Sequence, residues 1–260
     1  MSNILPRKIV EKVWGMQKVP EEFRVNGDLR IGEIWFEPDK MASQHLVKFL
    51  FTSEKLSVQV HPSNLDAQRL GLGNRGKDEC WIVLDAQPDA KVALGLNDTY
   101  SVEAVEAAAL DGSIEDMLVW HSADIGDFFH VPAGTIHAIG PGLTLLEVQQ
   151  NVDITFRLFD YGRPRVLHLD HALQCAEMRP YHRVDRNIIR DTSTVLVDTD
   201  NLKVQIYKGA QAQRIDAHRI VVPLAGSVAT AGQQFTIGQC ILAQPTEVLE
   251  SSHDAIFAVV

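Results

Sequence analysis

Four side chains stand out in this sequence for what they could hold together. Gln59 and His61 lie two apart in Leu56-Ser-Val-Gln-Val-His61, a run that favours extended structure, so both point to one face of a strand. Pro62 ends that strand directly after His61 and places both side chains near a sheet rim. Glu79 opens Glu-Cys-Trp-Ile-Val-Leu, a run apolar enough to be buried, where a carboxylate is costly unless paired or bound to metal. His137 follows the turn residues Pro132 and Gly134, which supply the fixed and permissive dihedrals of a sharp reversal. Two imidazoles, one carboxylate and one amide oxygen suit a divalent ion, zinc in particular. Taken singly, Gln59 and His61 fit a solvated strand face, Glu79 an ordinary ion pair, and His137 a packed histidine. Together they favour a metal.

The elements that must position these groups are mostly strands. Ile31 to Phe36, Val47 to Thr52, Leu56 to His61, Glu79 to Ala86, Lys91 to Leu96, Leu143 to Gln149 and Ile154 to Asp160 are rich in β-branched, aromatic and other apolar residues. Phe128, Phe129 and Val131 suit a buried strand leading into the Pro132 turn, with His130 as scaffold. Ser63 caps a short helix through Leu70, Ser101 caps another to Leu110, and His168 to Glu177 is helical. Residues 1–30 read as a covering segment with one short strand, and Met178 to Thr194 as a linker. From Val195 onward, short strands alternate with turns such as Asp198-Thr-Asp-Asn201. Ile237-Gly238, followed by Pro245, echoes Ile125-Gly126, followed by Pro132, without a histidine in the place of His137. The expectation is a mainly β chain: residues 1–180 form a metal-binding sandwich or barrel, and residues 181–260 a smaller structural copy.

Gly71-Leu-Gly-Asn-Arg-Gly76 matches a dinucleotide fingerprint, and Gly71 to Lys77 nearly matches a phosphate-binding loop. Both patterns need a strand before the glycines and a helix after them, and here the order is reversed. Asp78 also stands where such a loop needs Ser or Thr for magnesium. The segment reads as a flexible loop, of a kind that could close over a site. A formal net charge of −10 over 260 residues argues against nonspecific binding to nucleic acid or an anionic membrane, while a local basic pocket could still take a small anion. Three widely spaced cysteines, Cys80, Cys175 and Cys240, do not suggest a disulfide framework. With no apolar run near the length of a membrane span and no signal-peptide core, the expected compartment is the cytoplasm.

Gly126, Pro132, Gly134 and His137 have the spacing of the second sequence motif of cupins, small β-barrels with a metal in their mouth. More narrowly, four stretches resemble type I mannose-6-phosphate isomerases (phosphomannose isomerases). They are Leu56 to Pro62, Gly76 to Trp81, Val131 to Gly140 and Glu147 to Tyr161, with weaker likeness at Trp14-Gly15 and Gly32-Glu33. The resemblance implies a cupin-type jelly roll, one zinc per chain on Gln59, His61, Glu79 and His137, and an active-site role for Arg157. It also implies proton-transfer or ring-opening roles for Lys77 and Asp153. Read without the family, Arg157 would be an ion-pair partner of Asp153 or Asp160. The stretch between Trp35 and the Val47 strand is short for such a family, which bears on substrate choice more than on metal.

The reaction so implied interconverts mannose 6-phosphate and fructose 6-phosphate through an enediol. Lys77 and His61 are the candidate bases, and Arg163, Arg165 and Lys91 the candidate phosphate partners. Two rivals use the same residues. An iron-dependent cupin oxygenase would take His61, Glu79 and His137 as a two-histidine, one-carboxylate triad. A non-catalytic sugar-phosphate-binding cupin would keep the fold without turnover.

Overall fold

The computed structural model describes residues 3–38, 44–181 and 193–260. Two antiparallel sheets enclose the first half. One has six strands in the order Arg7–Met16, Ile31–Phe36, His45–Thr52, Leu143–Gln150, Glu79–Ala86 and Phe128–Val131. The other has five, in the order Phe156–Phe159, Val58–Val60, His137–Ile139, Lys91–Leu96 and Leu118–Ser122. A second pair of sheets follows. A six-stranded sheet runs Asn3–Ile4, Ile241–Ala243, Arg219–Ala225, Ile256–Val259, Lys203–Lys208 and Thr194–Asp198, and a four-stranded one joins Ala212–Arg214, Val248–Ser251, Ser227–Thr230 and Gln233–Thr236. This is the mainly β, cupin-type architecture expected from the strand-and-turn pattern.

Burial explains the order of the layers. On Leu143–Gln150 every residue is buried, because both faces of its sheet are covered. Leu146 and Val148 pack with Phe49, Val204, Ile206 and Val222, joining the two six-stranded sheets. The alternate residues Leu143 and Leu145 meet Trp81, Leu94 and Ile139 between the first two sheets. Helices Val102–Asp111 and Leu169–Cys175 cover the outer face of the five-stranded sheet through Val105, Ala108 and Ala172. Period-two alternation then dictates which polar residues face inward. Lys48, Glu147 and Gln149 share the side of Leu50 and Leu145, so they point into the first sandwich.

Some elements differ from expectation. Within residues 1–30 the sheet gains a ten-residue strand, Arg7–Met16, at its edge, where Arg7, Lys8 and Glu11 stay exposed. Asn3–Ile4 pairs with Ile241–Ala243, so the start of the chain belongs to the second pair of sheets. Strand Leu118–Ser122 and the short helix Ile114–Met117 were not legible in the sequence. Much of the expected 178–194 linker, residues 182–192, lies outside the described residues. The echo between the halves has a structural counterpart. Phe128–Val131 and His137–Ile139 belong to opposing sheets of the first pair, and Ile241–Ala243 and Val248–Ser251 do likewise in the second.

Candidate metal centre

Local chain geometry collects the predicted ligands at one end of the first sandwich. His137 lies directly across from Gln59, and Gln59 is also opposite Arg157, all within the five-stranded sheet. Glu79 comes from the facing sheet, opposite Gln149 and Val131. After His61 the chain makes a six-residue helix, Asn64–Arg69, held by a reciprocal capping box between Ser63 and Asp66. It then returns to its starting point. The Lys77 amide donates to the Pro62 carbonyl at 2.9 Å, and a Cβ on Gly76 would stand 2.2 Å from that same oxygen. Only glycine allows this approach, which brings Lys77 and Glu79 beside His61. The 71–76 segment thus closes a backbone clip and forms no phosphate cradle. At the other turn, Gly134 adopts φ +87° and donates its amide to the His61 carbonyl at 2.9 Å.

His61, Glu79 and His137 are fully buried, and one ligand atom from each lies within 4.8 Å of the others. The tautomers are set by the backbone: His61 Nδ1 donates to the Ile154 carbonyl at 2.9 Å and His137 Nδ1 to the Thr135 carbonyl at 2.8 Å. Both Nε2 atoms therefore present lone pairs toward Glu79, each 3.4 Å from one of its oxygens. Neither Glu79 oxygen accepts a well-aligned hydrogen bond, although Lys77 Nζ lies 2.5 Å from Oε2. A buried carboxylate with no partner but the Lys77 ammonium, facing two imidazole lone pairs, suits a divalent ion. Gln59 borders the group with its amide nitrogen 3.2 Å from His137 Nε2 and its oxygen accepting from Ser57. To ligate through oxygen the amide must turn over.

Electrostatics keep the donors in ligating form. Burial, with Lys77 adding to it, lowers His61 to about 4, and burial also lowers His137. Burial alone would raise Glu79, but Lys77 and the two histidines outweigh it and hold the carboxyl well below its ordinary range. Burial alone would lower Lys77, yet Glu79 and Glu147 outweigh it and keep the ammonium above its ordinary value. Lys77 is therefore a cation, and His61 Nε2, turned into the triad, lies 3.1 Å from its Nζ.

Gln59 and Lys77, which contact the two triad histidines, line a cleft of about 280 Å³ whose cations are Lys12, Lys48, Lys77, Arg157 and Arg165. Its carboxylates are Glu33, Glu147 and Asp153. Lys48 and Glu147, both buried, form an ion pair at 3.1 Å, and Lys77 stands 4.0 Å from the same Glu147 oxygen. Trp35 donates to Glu33 at 2.5 Å, and Lys48 lies 4.5 Å from the centre of its ring. Glu33, Trp35, Lys48 and Glu147 were not among the candidate site residues of the sequence, although Glu33 and Glu147 fall in its family-like stretches. Arg157 makes no ion pair among the described residues, because Asp160 is taken by Arg163 and Arg165. The Arg157 guanidinium donates to the Val166 carbonyl at 3.4 Å. Lys91 lies at the far end of its strand from Leu94, the partner of His137, and neither it nor Arg163 lines the cleft.

No family model matches the chain. It is 39% identical over 158 residues to mannose-6-phosphate isomerase ManA of Bacillus subtilis, a match covering 57% of this chain and 50% of that protein. It is 33% identical over 186 residues to the probable mannose-6-phosphate isomerase GmuF of the same organism, covering 68% and 59%. The chain thus spans between half and three-fifths of these curated relatives. In three dimensions it overlays the crystal structure of mannose 6-phosphate isomerase from Bacillus subtilis with a TM-score of 0.83 at 22% identity, over 99% of this chain and 98% of that one. A zinc-bound mannose 6-phosphate isomerase structure overlays with a TM-score of 0.76 at 13% identity, over 99% and 98%. Those overlays establish the shared fold, and the sequence matches carry the kinship: the chain belongs to the mannose-6-phosphate isomerase family.

Proposed function

We propose that the chain is a zinc-dependent aldose–ketose isomerase that interconverts mannose 6-phosphate and fructose 6-phosphate. The observation that carries this reading is the buried His61–Glu79–His137 triad, joined through Gln59 and Lys77 to a cation-lined cleft in an otherwise acidic protein. Family membership favours it over an oxygenase, which could use the same three ligands. His61, Glu79 and His137 would hold one zinc ion, with Gln59 as fourth ligand after its amide turns. Bound zinc would supply a Lewis acid for the negative charge that builds on two adjacent oxygens during the proton shift.

The remaining chemistry is assigned to the cleft walls. The proton must leave one carbon and return to its neighbour on the same face, which calls for one positioned base. Glu147 fits that role as a buried carboxylate between Lys48 and Lys77. Lys77, held as an ammonium, donates toward the developing oxyanion. Arg157, without a protein carboxylate of its own, offers its guanidinium to the substrate, and Arg165 adds positive charge toward the phosphate. Asp153, exposed in the cleft lining, is assigned the proton transfer of ring opening.

The same proposal assigns catalysis to residues 1–180 and support to residues 181–260, with Asn3–Ile4 crossing over to pair in the supporting unit. It also places the protein in the cytoplasm, where its three free, buried cysteines suit a reducing environment. No helix among the described residues is long and apolar enough to cross a membrane. A coupled assay that detects fructose 6-phosphate formed from mannose 6-phosphate tests the activity. Absence of turnover by the zinc-loaded protein would refute it.

A further inference from the structure

The second pair of sheets reaches the segments that carry the metal ligands through Asn201. Thr194–Asp198 and Lys203–Lys208 form a hairpin whose tip is braced by Thr199, its amide donating to the Leu202 carbonyl at 2.9 Å and its hydroxyl accepting from the Leu202 amide at 3.0 Å. Asn201 projects from that tip into the first unit. Its Nδ2 donates to Asp78 Oδ2 at 2.8 Å, its Oδ1 accepts from Asn64 Nδ2 at 2.8 Å, and its carbonyl lies 3.1 Å from His45 Nε2.

Asp78 is the residue between Lys77 and Glu79, and it is fixed on every side. Its amide donates to Gln150 Oε1 at 2.9 Å and its carbonyl accepts from the Gln150 amide at 3.0 Å. Its second carboxylate oxygen accepts from the Ala133 amide at 2.7 Å. Ala133 lies in the turn that leads to His137, and the next residue, Gly134, holds the His61 carbonyl. Asn64, the other partner of Asn201, accepts from the Gly76 amide at 2.8 Å and so secures the glycine of the backbone clip. One amide from the far unit thus closes a hydrogen-bonded chain that reaches the segments carrying all three ligands.

We propose that Asn201 is a positioning residue for the metal triad, acting through Asp78 on Glu79 and on the 132–134 turn. It touches neither metal nor substrate. The orientation of Asp78 needs a donor on the Oδ2 side, and in this fold the donor comes from the second unit. That unit is then more than a cover for the apolar back of the first: it sets the spacing of the ligands. The inference rests on the metal-centre reading above, and its test reads metal affinity instead of turnover.

The full-length protein, stripped of metal, is titrated with cobalt(II) and followed by its visible absorption, with chelator competition giving the affinity. Changing the partner of an oriented ligand typically costs 10- to 100-fold in affinity. Asn201→Asp sets two carboxylates against each other and is expected to weaken binding about tenfold or more. Combining it with Asp78→Asn exchanges donor and acceptor, and is expected to return the affinity to within about threefold of wild type and to restore the wild-type cobalt spectrum. Asn201→Ala should also speed hydrogen exchange of the Ala133 amide, a readout independent of metal.

The inference is overturned if Asn201→Asp binds cobalt as wild type does, or if the double variant remains as weak as the single one. If either variant is unfolded by circular dichroism, unchanged Ala133 exchange in folded Asn201→Ala overturns it equally. Wild-type protein that takes up no cobalt would remove the metal centre and this inference together. Wild-type protein that binds cobalt without isomerising sugar would refute only the activity.

Discussion

Lys77 Nζ stands 2.5 Å from Glu79 Oε2, with both side chains buried at the inner end of the cleft. The ammonium balances a carboxylate that lacks other well-aligned partners, and it also faces Glu147. This pairing ties stability, metal binding and chemistry to one contact.

Lys77→Met therefore has two separable effects. Without metal it leaves Glu79 buried and uncompensated, a loss of about 3–5 kcal/mol for a broken buried pair. Zinc should recover most of that loss, so thermal melting with and without zinc should show a larger zinc-induced rise in the variant than in wild type. Turnover of the zinc-loaded variant should fall by about 100-fold or more, the scale of a lost oxyanion donor.

Stability of the metal-free protein should depend on acid in a defined direction. His61 and His137 have folded values below the ordinary histidine value near 6.5, so between that value and about 4, set by His61, the unfolded chain binds more protons than the folded one. Stability then falls as pH drops through this window and is unaffected by these groups above it. Glu79, depressed in the fold, adds a further loss as pH falls below its unfolded value near 4.5. Denaturant melts across this range should show the slope, and His61→Gln should reduce proton uptake on unfolding by up to about one near pH 5. A flat profile would contradict the buried, neutral histidines.

Arg157 is half-buried in the cleft and makes no protein ion pair among the described residues, so its removal should spare the fold. Arg157→Ala is expected to change stability by less than about 1 kcal/mol and to leave zinc content at wild type. Its kcat/KM for the sugar phosphate should fall about 100-fold, with Arg157→Lys recovering little because one ammonium cannot reproduce the planar fork. Steady-state kinetics beside a melting curve decides this. A large loss of stability would return Arg157 to a structural role.

Gly76→Ala tests the backbone clip. A methyl group 2.2 Å from the Pro62 carbonyl must push the returning chain away and carry Lys77 and Glu79 with it. The expected cost is about 2 kcal/mol or more, with weakened zinc binding. Gly71→Ala, where a Cβ would meet nothing within 4 Å, should cost only about 1 kcal/mol through its positive φ.

Much of this site was legible in the sequence because its ligands sit where local rules are strong. Gln59 and His61 share a face through period-two alternation, Pro62 marks the rim, and Pro132 and Gly134 announce the turn before His137. Lys48, Glu147 and Gln149 were hidden for a physical reason. Their sheet is covered on both faces, so apolar residues alternate with apolar residues and a single inward charge carries no periodic signal. The strand Arg7–Met16 was missed for the opposite reason. As an edge strand it keeps Arg7, Lys8 and Glu11 in solvent, which hid its length in a segment read as a cover with one short strand. Asn201 lay in a segment read only as a turn. Its role depends on the docking of two distant units, and no local rule predicts that.

Turnover of mannose 6-phosphate as a function of zinc bound per chain tests the central claim most directly. Metal-stripped protein should be inactive, activity should rise linearly and level off at about one zinc per chain, and Glu79→Gln should abolish both high-affinity uptake and turnover. Full activity in metal-free protein, or one tightly bound zinc with no isomerisation of this sugar, would contradict it.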